Sequence, residues 1–261
     1  MRRAGGISAI LAFALMTVAV AATATESSSE LDPGTMAALQ KMGAYLRTLT
    51  TFQVEAVTTD EDVLDDGQKL QYSGSASVLA RVPDRLRAEV TDDRRKRLFL
   101  YDGKNFTLFA ERVGYYATVA APPTITKLVD KLDSEYDFSV PLEDLFRWGA
   151  AGWGPGAIKR AIDVGPSDVE GVTCEQYALR QDDIDWQIWL QRGAYPLPRK
   201  LVITTRTDDA KPQHTAVYTW NLAPSFNDAA FKFEPPPGAQ RVVLPSVAGT
   251  ATASPEARAT K

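Results

Sequence analysis

The segment "DWQIWLQRGAYPLPRKLVITTR" (residues 185–206) contains two strand-like runs joined by a connection with two prolines. In the first run Trp186 and Trp189 are three residues apart. Successive side chains of a strand point to opposite faces of the sheet, so the two tryptophans face opposite ways. The segment therefore predicts a strand that attracts apolar partners on both faces, rather than a sheet with one face in water.

The residues just before this segment predict the face on which each tryptophan lies. If residues 182–183 form a two-residue hairpin loop, each partner across the hairpin is fixed. The side chains that then share one apolar face are Tyr177, Leu179, Trp186 and Ile188. Trp186 therefore belongs to a core or a cavity. Trp189 falls on the other face among glutamines, and we expect a helix or the C-terminal tail to cover it there.

A second hairpin, around Asp102-Gly103, gives the same two-sided pattern. With residues 103–104 as its loop, one face is wholly apolar and the other nearly so. The residues predicted on the first face are Phe99, Tyr101, Phe106 and Leu108. Period-two alternation also runs through "TFQVEAVT" (residues 51–58) and "RLRAEV" (residues 85–90), as is typical of antiparallel strands. About eleven such strands, joined mostly by short turns, predict one large antiparallel sheet.

Three segments have helical spacing instead. They are residues 35–49, with Thr35 as a candidate cap, residues 124–136, and residues 141–148, which begin with a proline. "GAAGWGPGA" (residues 149–157) predicts a flexible break. The apolar residues of the two middle helices that we expect to face inward are Ile125, Leu128, Val129, Leu132, Leu142, Leu145 and Phe146.

Several strings together resemble proteins of the LolA/LolB type, the periplasmic carriers of outer-membrane lipoproteins. "FNDAAFKFEPPPGAQRV" (residues 226–242) resembles their closing segment, and "YDGKNFTLF" (residues 101–109) resembles one of their hairpins. "YPLPRKLVIT" (residues 195–204) resembles their Leu-Pro strand entry. The succession of C-x-x-Y-A-L-R, DWQIW and PLPRK is most similar to an uncharacterised predicted periplasmic protein family in that superfamily. The resemblance covers roughly residues 31–243.

This resemblance implies a mainly β fold with some α: a single curved antiparallel sheet, or half-open β-barrel, with helices covering its concave face. In the carriers that face holds acyl chains of lipoproteins. The resemblance therefore implies a hydrophobic cavity here, with lipid or a lipid-modified protein as the partner. The residues predicted to line it are Phe106, Leu108, Ile125, Leu128, Leu132, Phe146, Tyr177, Leu179, Trp186, Ile188, Leu201 and Ile203.

The N-terminus predicts export from the cytoplasm. Two arginines precede a 16-residue apolar run, and Ala22-Thr23-Ala24 is a cleavage motif, so we expect a signal peptide cleaved after Ala24. A retained anchor is the alternative, but the run is shorter than the roughly 20 residues of a membrane span. We therefore expect a periplasmic protein with no stable membrane span. The predicted divisions are signal peptide 1–24, linker 25–34, LolA/LolB-like domain 35–243 and disordered tail 244–261.

Charge and chemistry narrow the function further. The net charge is −4, and loss of residues 1–24 removes two arginines and no acidic residue, leaving −6. Such a surface argues against nucleic acid as a partner. Cys174 is the only cysteine and His214 the only histidine, so neither a catalytic thiol nor a zinc site is expected. The acidic runs at residues 60–67 and 182–185 and the basic run at residues 92–97 predict solvated turns.

We therefore expect no catalytic residue, no metal and no cofactor. The preferred hypothesis is a carrier that buries an acyl chain or another hydrophobic ligand under a helical lid. The alternative is a non-enzymatic scaffold of the cell envelope with a filled core and a protein partner. A hydrolase is the least favoured hypothesis, because no nucleophile–base pair is evident in the sequence.

Overall fold

The computed structural model describes residues 30–150 and 157–247. The helices that lie wholly within these residues are α1 (Pro33–Leu46), α2 (Ile125–Tyr136), α3 (Asp144–Arg147) and a 3-10 helix (Asp228–Phe231). The strands are β1 (Thr51–Val63), β2 (Lys69–Arg81), β3 (Arg85–Asp92), β4 (Lys96–Tyr101), β5 (Asn105–Ala110), β6 (Tyr115–Ala120), β7 (Arg160–Val169), β8 (Val172–Arg180), β9 (Ile184–Gln191), β10 (Pro198–Thr205), β11 (Gln213–Asn221) and β12 (Gln240–Arg241).

All twelve strands of the described residues belong to one open sheet with the order β12-β6-β5-β4-β3-β2-β1-β11-β10-β9-β8-β7. Neighbouring strands are antiparallel, except that β12 runs parallel to β6. The predicted fold class, a single curved antiparallel sheet with helices on its concave face, is confirmed. The sequence suggested about eleven strands, and the additional β12 is a two-residue pairing too short to show a period.

Both predicted hairpins have the expected register. Tyr177 pairs with Ile188 and Leu179 with Trp186 across β8 and β9. In the other hairpin Tyr101 pairs with Phe106 across β4 and β5. Two-residue loops set these partners, so alternation assigns each side chain to a face.

The main core lies between the concave face and the helices. Along β1, Phe52, Val54 and Ala56 are buried and join a cluster that extends across the sheet. Helix α1 contributes Leu39 and Met42, both fully buried. Helix α2 is amphipathic, and its buried residues are Ile125, Leu128, Val129 and Leu132, as predicted.

Helix α1 begins before the predicted position. It starts at Pro33, where a missing backbone N–H costs nothing because the first turn has no acceptor for it. Asp32, not Thr35, is the cap: its carboxylate accepts from Thr35 N at 2.6 Å and from Thr35 Oγ1 at 2.8 Å. Glu30 and Asp32 also exchange backbone hydrogen bonds with Ala161 of β7. The last residues of the expected linker are therefore part of the fold.

Helix α3 is shorter than the predicted helix over residues 141–148. Leu142 has φ of 55°, a left-handed conformation that a continuous α-helix excludes, so only one turn forms. Leu145 and Phe146 face inward as predicted, whereas Leu142 is half-buried against the core. Most of the expected flexible break, residues 151–156, lies outside the described residues.

The convex face carries its own small cluster around Trp189, which is 8% exposed. A helix or the tail was expected to cover this residue, but within the described residues it is neighbouring strands that supply the cover. Trp189 Nε1 donates to Ser167 Oγ at 3.1 Å, and Lys200 Nζ lies 4.8 Å from the ring centroid. The other members are Val169, Val172, Cys174, Val202 and Val217.

The closing segment packs on the convex face of β4–β6. Phe231 is 1% exposed, and the ring of Phe233 lies 5.5 Å from Phe109 and 5.0 Å from Tyr116. Backbone hydrogen bonds from Gln240 and Val242 to β6 and the turn before it then form β12. The aromatic and proline-rich pattern thus holds the C-terminal segment against the sheet.

Candidate functional site

A cavity of about 170 Å³ lies on the concave face between β9, β10 and helix α3. We call it the concave cavity. Its lining combines the apolar face of two strands with residues on either side of the undescribed residues 151–156. The lining residues are Asp144, Trp148, Ile158, Gln181, Ile184, Trp186, Leu201 and Ile203.

Strand register brings the apolar part of this lining together. Trp186 of β9 pairs with Ile203 of β10, and two residues along Ile188 pairs with Leu201. All four side chains therefore stand on the same face. They occupy every second position of their strands, and this alternation is visible in the sequence alone.

The structure places all twelve predicted site residues in the main core on the concave side. Three of them, Trp186, Leu201 and Ile203, line the concave cavity. The other nine pack within the surrounding core and are Phe106, Leu108, Ile125, Leu128, Leu132, Phe146, Tyr177, Leu179 and Ile188. Of the nine, Leu108 is half-buried and the rest are buried.

The concave interior is mostly filled by side chains in this conformation. A volume of 170 Å³ equals that of about six water molecules at roughly 30 Å³ each. Pockets for small organic ligands usually measure about 300–1,000 Å³. A long acyl chain therefore fits only if α2 and α3 move away from the sheet.

Asp144 is the acidic residue in this lining, and sequence analysis did not identify it. It is the first residue of the one-turn helix α3, so it faces the cavity while Leu145 and Phe146 enter the core. Burial raises the pKa of the Asp144 carboxyl, although Arg147 and His214 partly oppose that rise. Within the described part of the chain its carboxylate has no hydrogen bond or ion pair.

Trp186 also presents an unpartnered polar group. The residue is 6% exposed, and no acceptor among the described residues lies within hydrogen-bonding distance of its enclosed Nε1. A buried N–H without an acceptor costs roughly 1–3 kcal/mol. By contrast, Trp220 Nε1 donates to Pro198 O at 2.8 Å, and Trp189 Nε1 has Ser167. The cavity therefore holds a donor and a carboxylate that the fold does not pair.

Arg147, on the same short helix as Asp144, is already engaged with other carboxylates. Arg147 lies 3.1 Å from Glu143, 3.4 Å from Asp133 and 3.6 Å from Asp130. The Arg147 guanidinium thus has three carboxylate partners, and Asp144 is not one of them. Burial raises the pKa of Glu143 as well, and its Oε2 is buried without a partner among the described residues.

His214 has a partner that the sequence did not reveal. Its Nδ1 lies 2.6 Å from Asp60 Oδ1, on adjacent strands that pair these two positions. Tyr218 lies four residues after His214 on β11, on the same face, and is 4% exposed. Its burial, together with the nearby Asp144 carboxyl, raises the pKa of the Tyr218 hydroxyl. The pair is exposed at the end of these two strands, whereas the tyrosine belongs to the main core.

The other residues that the sequence offered for catalysis, metal binding or docking have structural roles. Cys174 is buried in the convex cluster, and burial raises the pKa of its thiol. In the described ranges, no group of three or more His, Cys, Asp or Glu side chains is arranged to hold a metal ion. The basic run at residues 92–97 forms the β3–β4 turn, where Arg94 stacks 3.7 Å from the ring centroid of Tyr72.

Comparison with models of known protein families shows the family of this chain. Residues 35–244 match the DUF2092 family, described as "predicted periplasmic protein", and the chain belongs to this family. The family resemblance inferred from the sequence is thereby confirmed. A comparison with curated proteins gives no match.

Solved structures with low identity are similar to this chain. An uncharacterised conserved protein from Thermus thermophilus is 12% identical, with 80% of this chain and 99% of that chain covered and a TM-score of 0.46. LprF from Mycobacterium bovis is 13% identical, with 80% and 99% covered and a TM-score of 0.45. A LolA superfamily protein from Nitrosomonas europaea is 12% identical, with 76% and 97% covered and a TM-score of 0.37.

Within residues 30–150 and 157–247, none of the helices has the length and apolar character needed to cross a bilayer.

Proposed function

We propose that this protein is a periplasmic binding or carrier protein that holds the apolar chain of a ligand against its concave face. The observation that carries this proposal is the concave cavity, an unfilled space bounded by Trp186, Leu201 and Ile203 within a continuous apolar core. A ligand chain would extend this space along the sheet by displacing α2 and α3. The ligand would be a lipid, or the lipid of a modified protein.

The energetics are consistent with such a displacement. Each CH₂ group moved from water into an apolar site contributes about 0.8 kcal/mol. The chain would replace contacts that α2 now makes through Ile125, Leu128 and Leu132. Because apolar contacts are exchanged for apolar contacts, opening costs far less than exposure of the core to water.

The helices have attachments suited to a lid. The start of α2 is fixed, because Ile125 N donates to Pro83 O at 2.8 Å and Thr124 caps the helix. Its other end stops at Asp137, which has a left-handed conformation. Beyond it, Arg47 of α1 donates to Trp148 O at 3.0 Å. The segment is therefore anchored at both ends, and the displacement would take place between these two anchors.

The test is purification of residues 25–261 without detergent, organic extraction and mass spectrometry, followed by titration with an uncharged fluorescent probe that carries an alkyl chain. We expect a stoichiometric lipid or saturable probe binding. Ile203→Phe fills the concave cavity and is expected to weaken probe binding at least tenfold. Val57→Phe is the control, because Val57 is 64% exposed on the opposite face.

A protein that carries no lipid and binds no probe would contradict the proposal. That result would favour the alternative, an envelope scaffold with a filled core. Equal loss of binding in both phenylalanine variants would also contradict the assignment of the ligand to the concave cavity.

A further inference from the structure

The concave cavity has a polar end that an entirely apolar ligand would leave unsatisfied. Asp144 and Trp186 both line it. Trp186 Nε1 is buried without an acceptor, and no hydrogen bond or ion pair joins the half-buried Asp144 carboxylate to another described residue. The cavity thus borders on one carboxyl group and one buried hydrogen-bond donor. A purely structural cavity gains nothing from such groups, because each is costly to bury unpaired.

The charge around this end is predominantly negative. Arg147 is shared by Glu143, Asp133 and Asp130, and His214 is paired with Asp60. No ion pair joins Asp144 to the Arg147 guanidinium or to the His214 ring among the described residues. An incoming positive charge would therefore meet an excess of carboxylates over cations.

The aromatic lining favours the same kind of ligand. Trp148 and Trp186 border the cavity together with Asp144, and tryptophan faces attract cations more strongly than other aromatic rings do. An ammonium group is small enough for a volume of 170 Å³, whereas a bulky headgroup is not. The alkyl chain attached to the ammonium group would extend from this end of the cavity past Leu201 and over the neighbouring apolar face.

We infer that the end of the concave cavity formed by Asp144, Trp148 and Trp186 binds the protonated amine of an amphiphilic ligand. This inference rests on the proposed function, since the apolar chain of the ligand occupies the concave face. The ammonium group donates to the Asp144 carboxylate. An oxygen near the amine accepts from Trp186 Nε1, as in an amino alcohol or an amino ester.

Binding of an amine would depend on pH in a defined direction. Burial raises the pKa of Asp144, so this carboxyl takes up a proton at a higher pH than an exposed aspartate does, and only its ionised form attracts an ammonium group. The other titratable and charged groups that face Asp144 are Glu143 and Arg147 on α3 and in its cap, and His214 and Tyr218 on β11. Affinity for the amine should rise from pH 5 to pH 8.

The experiment compares dodecylamine, dodecanol and dodecanoate, which share one chain and differ only in the polar end. Each displaces a neutral fluorescent probe from the protein at concentrations below micelle formation. At pH 8 we expect dodecylamine to bind at least tenfold more tightly than dodecanol, and dodecanoate to bind most weakly. At pH 5 the advantage of the amine should shrink.

Asp144→Asn keeps the size of the side chain and removes its charge. We expect this variant to bind dodecylamine and dodecanol within about twofold of each other, with dodecanol affinity unchanged. Asp130→Asn is the matched control, because Asp130 is exposed on α2 and does not line the cavity. It should keep the wild-type preference. Thermal melting verifies that both variants are folded.

Two outcomes separate this inference from the proposed function. If dodecanol and dodecylamine bind equally well to the wild-type protein at pH 8, the amine site is wrong and the carrier proposal stands. If none of the three compounds binds, the carrier proposal fails and the inference fails with it. An amine preference that survives Asp144→Asn would also overturn the assignment to Asp144.

Discussion

Trp186 and Trp189 lie three residues apart on β9 and serve opposite faces of the sheet. Trp186 lines the concave cavity, where its N–H lacks an acceptor among the described residues, and Trp189 donates to Ser167 on the convex face. The two indoles are buried to nearly the same extent, at 6% and 8% exposure. They therefore differ in what surrounds them rather than in depth, which makes them a matched pair of probes.

This pair gives a spectroscopic prediction. A ligand in the concave cavity should change the tryptophan emission through Trp186, because a new contact replaces empty space beside its ring. Trp186→Phe should reduce that change, the remainder coming from Trp148, which also lines the cavity, and Trp189→Phe should preserve it. Emission spectra of the three proteins during titration with dodecanol provide the measurement. A response that depended on Trp189 instead would place the ligand on the convex face.

Leu201→Ala should enlarge the concave cavity. Leu201 is 3% exposed, and truncation of a buried leucine lowers the free energy of unfolding by about 2–5 kcal/mol. Leu86→Ala is the control, since Leu86 is fully buried on β3, away from the cavity. Both variants should lose stability in urea titrations, but only Leu201→Ala should change the affinity for a chain-bearing probe. Equal affinities would argue against occupancy of this cavity.

Asp144→Asn should stabilise the protein in neutral and alkaline buffer. Because the pKa of Asp144 is raised in the fold, the folded state binds this proton more tightly than the unfolded chain does. The stabilisation that results is complete below the pKa of an unfolded aspartate, about 3.9, and is lost as pH rises through the folded pKa. Asparagine does not ionise, so the variant escapes that loss.

Urea titrations at pH 3.5 and pH 8 test this prediction in the absence of ligand. The variant should exceed the wild type at pH 8 and match it more closely at pH 3.5. Asp130→Asn should show no comparable gain, because Asp130 is exposed and lies near Arg147. A variant that is less stable than the wild type at pH 8 would mean that Asp144 has a favourable partner in the free protein.

Asp32→Ala should weaken the start of helix α1. Hydrogen bonds from Thr35 lower the pKa of Asp32, so its stabilising effect is present above the unfolded pKa and is lost as pH falls through the folded pKa. We expect a melting temperature about 2–4 °C lower at pH 7. Asp65→Ala, in the exposed turn after β1, should leave the melting temperature unchanged. The difference between the two should begin to shrink as pH falls below the pKa of an unfolded aspartate, about 3.9.

The local parts of this fold were predictable from sequence. A period of two fixed the faces of β8 and β9, and the loop at residues 182–183 fixed their register. The features that escaped prediction depend on distant residues or on one unusual backbone angle. His214 meets Asp60 across 154 positions, and Asp144 faces the cavity because Leu142 interrupts the helix. Alternation carries no information on either relationship.

The residues that cover Trp189 were not predicted for the same reason, because they are distant in sequence. Helices and tails are visible in a sequence as separate segments, so they were the expected partners for an apolar side chain outside the main core. The actual partners, such as Val202 and Val217, are the outward residues of adjacent strands. Each looked like an ordinary surface position on its own strand. Only the order of strands in the sheet brings them together.

The pairing of the two terminal segments with β7 and β6 has a consequence for behaviour in concentrated solution. An open sheet ends in strands whose unpaired N–H and C=O groups invite another molecule to add a strand. Here Asp32 bonds to Ala161 on one border, and Gln240 and Val242 bond beside β6 on the other. By pairing with backbone groups of the edge strands, these short segments disfavour edge-to-edge association of one molecule with another. Trimming either of them should produce a chain that still folds but self-associates through the newly exposed border.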